Sequence, residues 1–209
     1  MSPVLFGPSY SVYVRIVKIV LAEKGVDYQQ VAFDVFDRAD WPDDWLQRQP
    51  FGQVPAFEHD GFRLYETRAI TRYVDEAFDG PALQPDSAPG RARAEQAISV
   101  LDSHGYRPMV WEIYVERVSK DDSDEAVIAA ALPKAEKCLA ALTDILDGGA
   151  FFGGAGFSLA DAQAAPMFDY FVQAAEGRAL LDAQPALAAW WARVSARASI
   201  QAACAKEAA

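Results

Sequence analysis

Pro50-Phe51-Gly52-Gln53-Val54-Pro55-Ala56-Phe57, followed shortly by Glu66-Thr67-Arg68-Ala69-Ile70, is the stretch that decides the fold. A strand-like run, Ala56 to Glu58, follows Pro55. Proline cannot donate to a sheet ladder, so Pro55 belongs at a strand's first residue or at an edge. A cis bond before Pro55, with Val54 turned outward, would leave the Val54 N–H and C=O to pair with something other than a neighbouring strand, such as the backbone of a bound peptide. His59-Asp60-Gly61-Phe62 carries the Asp-Gly signal of a two-residue hairpin, so Val54–Glu58 and Phe62–Tyr65 should pair antiparallel. Beyond them Ala69, Ile70, Tyr73, Val74 and Ala77 fall at helical spacing, which puts Glu66-Thr67 at a helix N-terminus. There the unpaired N–H groups and the helix dipole attract a carboxylate, the Thr67 hydroxyl can donate to it, and Glu66 can take an ammonium. The zwitterionic end of an amino acid fits that description. The alternative is purely structural, with Thr67 capping the helix and Glu66 complementing its dipole.

The block PFGQVPAFEHDGFRLYETRAITRY resembles the glutathione-binding signature of cytosolic glutathione transferases, phi class and bacterial relatives, and the similarity runs through nearly the whole chain. The family's usual Glu-Ser appears here as Glu-Thr, which keeps the hydroxyl. The resemblance implies an α/β N-terminal thioredoxin-like domain plus an all-α C-terminal helical-bundle domain. It further implies a cytoplasmic homodimer, with Phe51 as an aromatic key into the partner subunit. Glutathione is then a cosubstrate, and no metal or permanently bound cofactor is called for. The implied reaction adds the glutathione thiolate to small hydrophobic electrophiles. Peroxidase, disulfide-reductase, dehalogenase or isomerase chemistry on the same fold is an alternative, because the thiolate is shared and the acceptor differs. A non-catalytic ligand carrier or interaction scaffold is the alternative from another class.

Composition narrows the field. The net charge is −11, with 8 basic against 13 acidic residues up to Ala82 and 11 against 17 after it. Neither part offers the basic face that a nucleic-acid binder needs. Cys138 and Cys204 lie in unrelated contexts without metal-ligand spacing, as expected of a reducing compartment. No basic-then-apolar leader and no long apolar window is visible, so the chain reads as unexported and without a membrane partner.

In chain order, Pro3–Phe6 reads as a strand, Val12–Lys24 as a helix stopped by Gly25, and Tyr28–Phe33 as a second strand, forming a right-handed βαβ unit. A short helix is expected within Arg38–Gln49, and with the hairpin and its helix the order is thioredoxin-like. Residues 1–80 thus form the glutathione-binding domain and 81–90, rich in Pro and Gly, the linker. Residues 91–209 form the helical domain, with helices over Arg91–Ser119, Ser123–Leu146, Ser158–Ala175 and Pro185–Cys204. Gly105 and Pro108 should bend the first of these, and Pro133 marks the start or a kink of the second. Ser158-Leu159-Ala160-Asp161 is a capping box with a structural role, and its staple is weak because Phe157 would have to pack on Ala162.

A thiol peptide held by Val54 and Glu66-Thr67 would direct its sulfur to the loop Gly7-Pro8-Ser9-Tyr10-Ser11-Val12-Tyr13. The loop has hydroxyls but no cysteine, which argues against disulfide exchange through an enzyme thiol. A hydroxyl at a helix N-terminus instead favours the thiolate of the bound peptide. In the phi pattern the reactive serine lies four residues after a glycine and four before an arginine. Gly7, Ser11 and Arg15 reproduce this, so Ser11 is the catalytic candidate, with Ser9 and Tyr10 as alternatives and a simple N-cap as the structural reading. By the same resemblance Gln53, Val54, Pro55, Glu66 and Thr67 bind glutathione, and Arg68 is the usual follower of the Glu-Ser pair. The family's His-Lys pair, which grips the glycine carboxylate, is replaced by Asp40 and Trp41. Arg38, or the Trp41 indole N–H, is expected to substitute, and glutathione affinity to be weaker. Tyr10, Tyr13, Tyr106 and Trp111 are candidates to line the hydrophobic-substrate pocket, although Tyr106, Trp111 and Tyr114 could equally be core or interface residues.

Overall fold

The computed structural model describes residues 2–205. It divides into two compact units, one of residues 2–82 together with 198–205 and one of Leu83–Arg197.

The first unit is built on a four-stranded sheet in the order β2-β1-β3-β4. Its elements are β1 (Val4–Phe6), α1 (Val12–Glu23), β2 (Gln29–Val31), a 3-10 turn at Arg38–Asp40, α2 (Trp45–Arg48), β3 (Ala56–His59), β4 (Phe62–Tyr65) and α3 (Thr67–Ala77). β1 pairs parallel with β2 and antiparallel with β3, and β3 pairs antiparallel with β4. This is the thioredoxin-like arrangement expected from the sequence. The hairpin turns on Asp60 and Gly61, whose φ values of 50° and 80° are the positive pair that a type I′ turn requires. Valine and isoleucine fill the buried face of α1, and Leu5, Ile16, Ile19, Phe57 and Ile70 are sealed from solvent. A second cluster of Phe6, Phe33, Trp45 and Ala56 sits on the sheet, with Val35, Trp41 and Val54 packed against it. At the end of α1, Lys24 Nζ donates to the Asp75 carbonyl (2.9 Å) and the Pro81 carbonyl (3.1 Å), and pairs with the Asp75 carboxylate.

The second unit is helical. α4 (Ala88–Val100) is capped by Ser87 and runs on in wide π-type turns through Leu101–Gly105 and Arg107–Ser119. Tyr106 N–H bonds to the Leu101 carbonyl and Lys120 N–H to that of Val115, both at i→i+5. The Gly105–Pro108 region, read from sequence as a bend, is thus taken up by widened turns, a way of accommodating the donor that proline lacks. α5 (Glu125–Leu146) starts on Asp124 and carries Pro133 in its interior. α6 (Leu159–Phe171), α7 (Ala175–Asp182) and α8 (Pro185–Ser195) complete the unit, packed around Trp190, Phe168, Phe171, Leu101 and Met109.

Two differences from the sequence reading concern helices. α7 was not anticipated, because Gly177 inside it reads as a breaker. The expected helix over Pro185–Cys204 is two helices, and the second, α9 (Ala198–Cys204), packs with the first unit. Ile200 and Ala203 are buried there, and the Ser199 hydroxyl bonds to Glu23 of α1. The expected 91–209 domain therefore gives up its C-terminal end, because α1 offers α9 an apolar partner.

Candidate functional site

Three segments leave the sheet at one edge. Phe6 lies opposite Ala56 in β3 and Val31 in β2, and Ala56 lies opposite Tyr65 in β4. The next residues outward are Gly7, the Val54-Pro55 pair and Glu66. Neighbouring strands are about 4.8 Å apart, so from Gly7 across Pro55 to Glu66 is about 10 Å, the reach of three extended residues.

Gly7 has φ 131°, and a Cβ on it would stand 2.6 Å from Val14 Cγ2 and 3.0 Å from Val54 Cβ. The Val54 side chain is therefore wedged under the loop, and its backbone faces away. The Val54–Pro55 bond is cis, and β3 begins only at Ala56. Among the described residues neither the N–H nor the C=O of Val54 has a backbone partner. Gln53 beside it is exposed.

At the start of α3, Glu66 has φ 71° and ψ 111°, a conformation that costs a non-glycine residue free energy and is characteristic of binding sites. Its side chain makes no capping bond, and Thr67, buried at 9 % exposure, is the first helical residue. Neither side chain has a hydrogen-bond partner among the described residues. Thr67 thus makes no capping bond, while Glu66 stands at the N-cap, at the positive end of the helix dipole.

The loop after β1 separates its hydroxyls. Ser9 is buried, and its hydroxyl is engaged by Lys18 Nζ (3.2 Å) and Gln30 Nε2 (3.1 Å), with its own proton directed at Gln30 Oε1 (3.4 Å). Tyr10 donates its phenol to Asp34 Oδ1 at 2.8 Å and stacks on Phe36, ring centroids 6.3 Å apart at 8°. The Phe36 N–H, and then that phenol, hold the Asp34 carboxyl below its usual pKa. Ser11 is the N-cap of α1; its oxygen accepts from Val14 N–H at a long 3.4 Å, and its proton has no acceptor among the described residues. Asp34, Phe36, Gln30 and Lys18 were not found by sequence reasoning. They meet the loop across nine to twenty-six residues of chain with no periodic signal to mark them.

The segment where the resemblance leads one to expect a His-Lys pair is organised differently. Asp40 Oδ2 accepts from Asp34 N–H at 2.5 Å. Trp41 donates its indole N–H to the Val35 carbonyl at 3.1 Å, and its ring lies against Gly52. This corrects the expectation that the Trp41 N–H could take a ligand carboxylate: the donor is committed to holding the loop. Arg38 is exposed, with its guanidinium carbon 5.5 Å from the centre of the Trp41 ring.

Tyr13 is half-buried on α1. In the second unit Trp111 is exposed and shares a hydrogen bond with Tyr106, whose phenol pKa is raised by burial. Tyr114 packs against Tyr170 in its own unit, ring centroids 4.4 Å apart and tilted by 34°. Burial pushes the Cys138 thiol up to about 12, which makes it an inert core residue. Among the described residues no group of three or more His, Cys, Asp or Glu is placed to hold a metal ion, and no helix is long and apolar enough to cross a membrane.

The decisive comparison is with known domains. The glutathione S-transferase N-terminal domain matches residues 3–76, and the glutathione S-transferase C-terminal domain matches 106–198. The chain belongs to the glutathione S-transferase family. This transferase is 30% identical to glutathione S-transferase F6 of Arabidopsis thaliana over 94% of this chain and 96% of that protein. It is 32% identical to glutathione S-transferase 3 of Zea mays over 96% and 93%. Its relatives make it phi-like. Among solved structures it is similar to glutathione S-transferase III in apo form, with a TM-score of 0.84 and 31% identity over 97% of this chain and 95% of that one. It is also similar to glutathione S-transferase I from mais in complex with an atrazine glutathione conjugate, at 0.85 and 26% over 98% and 97%.

Proposed function

We propose that this transferase conjugates glutathione to small hydrophobic electrophiles, with Ser11 as the catalytic hydroxyl. The sulfur attacks the electrophilic carbon as its thiolate, the carbon–sulfur bond forms as the leaving group departs with its electron pair, and the thiol proton has already gone to solvent. Ser11 donates its O–H to that thiolate at the N-terminus of α1, where the dipole also favours negative charge. Val54 pairs its free backbone groups with the cysteine residue of the tripeptide, next to Pro55 and with Gln53 alongside. Glu66 takes the γ-glutamyl ammonium, and Thr67 with the α3 N-terminus takes the neighbouring carboxylate. Arg38 is the cation left for the glycine end. Tyr10 and Tyr13 supply aromatic surface for the electrophile. The working form is a cytoplasmic C2 homodimer, to which Phe51 contributes an aromatic ring that is 68% exposed.

One observation carries the choice of residue: of the Ser9, Tyr10 and Ser11 hydroxyls, the first two direct their protons at Gln30 and Asp34, and that of Ser11 has no acceptor among the described residues. The test is conjugation of a chloronitroarene by wild type and by Ser11→Ala across pH 6–8. A Ser11→Ala enzyme as active as wild type at every pH would remove Ser11 from the reaction. The second reading, a non-catalytic carrier, is favoured by the commitment of Asp40 and Trp41 to their own loop. It predicts no conjugation by wild type and no rise of Tm with glutathione.

A further inference from the structure

Behind the Ser11 loop lies a set of bonds with a function beyond packing. Gln30 Nε2, from β2, donates to the Gly7 carbonyl at 2.8 Å as well as to the Ser9 hydroxyl. Arg15 Nε donates to the Ser9 carbonyl at 2.8 Å, and Lys18 Nζ to the Ser9 hydroxyl at 3.2 Å. Two carbonyls and one hydroxyl of the loop are thus gripped from both sides. Ser11, Arg15 and Lys18 fall at i, i+4 and i+7, on one face of α1. A neutral donor would satisfy the Ser9 oxygen, and a half-buried ammonium is the costlier choice. What the ammonium adds is positive charge at the end of the helix where the sulfur is to be held.

On the surrounding elements, Asp75 of α3 pairs with Lys24, the Ser199 hydroxyl of α9 bonds to Glu23, and Asp34 of the loop after β2 takes the Tyr10 phenol. Arg15 is the other cation on this face.

We infer that Lys18, acting through the Ser9 hydroxyl and opposite Gln30, is a positioning residue for the thiol site: it locks the 7–11 loop with the Ser11 O–H presented to the sulfur, and it sets a positive charge behind that loop. The inference rests on the reading of Ser11 as thiolate donor.

The experiment compares wild type, Ser11→Ala, Lys18→Met, Lys18→Arg and Lys18→Gln. For each it measures the rise of Tm with glutathione, the ultraviolet absorbance of bound thiolate against pH, and kcat and KM between pH 6 and 8. In Lys18→Met the bound thiol should titrate about one pH unit higher and kcat at pH 6.5 should fall about tenfold, with KM for glutathione within about twofold of wild type. Lys18→Arg should recover most of that loss. Lys18→Gln keeps a donor for Ser9 and drops the charge, so it should melt like wild type and still show the displaced titration. An unchanged titration in Lys18→Met or Lys18→Gln overturns the inference, as does an equal loss in Lys18→Arg. If Ser11→Ala shows its defect while Lys18→Met is silent, this inference alone fails. If Ser11→Ala is silent, or glutathione leaves the wild-type Tm unmoved, the reading beneath it fails as well.

Discussion

Three helices of this transferase begin at a serine, and two of those starts, at α6 and at α1, contrast most sharply. At α6 the Ser158 N–H donates to Asp161 Oδ2 at 2.8 Å and its hydroxyl to the same oxygen at 2.7 Å. Asp161 Oδ1 takes the Phe152 N–H at 3.0 Å and the Trp190 indole N–H at 2.7 Å. Burial pushes the Asp161 carboxyl above the usual carboxylate range, against the pull of these four donors. At α1, Ser11 has a long contact with Val14, and its proton has no acceptor among the described residues. The same residue in the same helical position closes its bonds on the protein at α6, and at α1 it is the one proposed above to serve the reaction. α3 falls on the open side, with Glu66 and Thr67 unbonded at its start.

The largest expected effect tests the closed start. Asp161→Ala leaves three buried N–H donors without an acceptor, at ~1–3 kcal/mol each, so stability should fall by at least about 3 kcal/mol. At ~2–4 °C per kcal/mol this is a drop of about 6–12 °C in Tm, read by calorimetry. That exceeds the cost of a simple helix cap, because the carboxylate also holds Trp190 of α8. A Tm within 2 °C of wild type, on the order of a surface change, would show that the closed start is not what holds the unit together.

The next effect belongs to the open start. Ser11→Ala should lower kcat/KM by about 100-fold, as loss of one preorganised donor does, while Tm moves by no more than about 4 °C for a lost cap. Ser158→Ala should give the reverse pattern, a lower Tm with kcat/KM of the surviving enzyme near wild type. Glu66→Gln comes third. Losing a charge-assisted bond to the ammonium should raise KM for glutathione about tenfold, measured by steady-state kinetics, with the thiolate titration unaltered.

Cys138 extends the contrast to pH. In the fold its thiol stays neutral up to about pH 12, whereas in the unfolded chain it ionises near pH 8.5. A raised pKa contributes stability below the unfolded value and loses it as pH rises toward the folded one. Stability should therefore decline between about pH 8.5 and 12, by up to ~1.4 kcal/mol per unit, and Cys138→Val should flatten that slope in denaturant titrations. The smallest effect is Arg38→Ala. An exposed cation in water contributes little, so calorimetry should find glutathione bound about two- to fivefold more weakly.

Much of the site was legible in the residues. Pro55 could not lie inside a ladder, Asp60-Gly61 announced the hairpin, and the stripe from Ala69 to Ala77 put Glu66-Thr67 at a helix start. These are local rules, in which steric and hydrogen-bond limits act over a few neighbouring residues. The capping box at Ser158 was visible for the same reason. The Trp190 bond to Asp161 was not, because α8 meets that carboxylate only through packing, and Phe157, expected on Ala162, packs on Phe151 and under Arg197. The Trp41 indole was misassigned because nothing in the sequence reveals that the Val35 carbonyl lies within its reach.

The sequence by itself determined the two-part architecture, the succession of strands and helices and the short set of hydroxyls from which a thiolate donor could come, because each follows from the covalent limits of proline and glycine or from the period of apolar residues. Only the tertiary structure gave those hydroxyls their different partners and placed α9 in the first unit. Whether a polar group is open or closed depends on partners brought from distant parts of the chain: Gln30 and Lys18 claim Ser9, Asp34 claims Tyr10, and no other described residue claims the proton of Ser11.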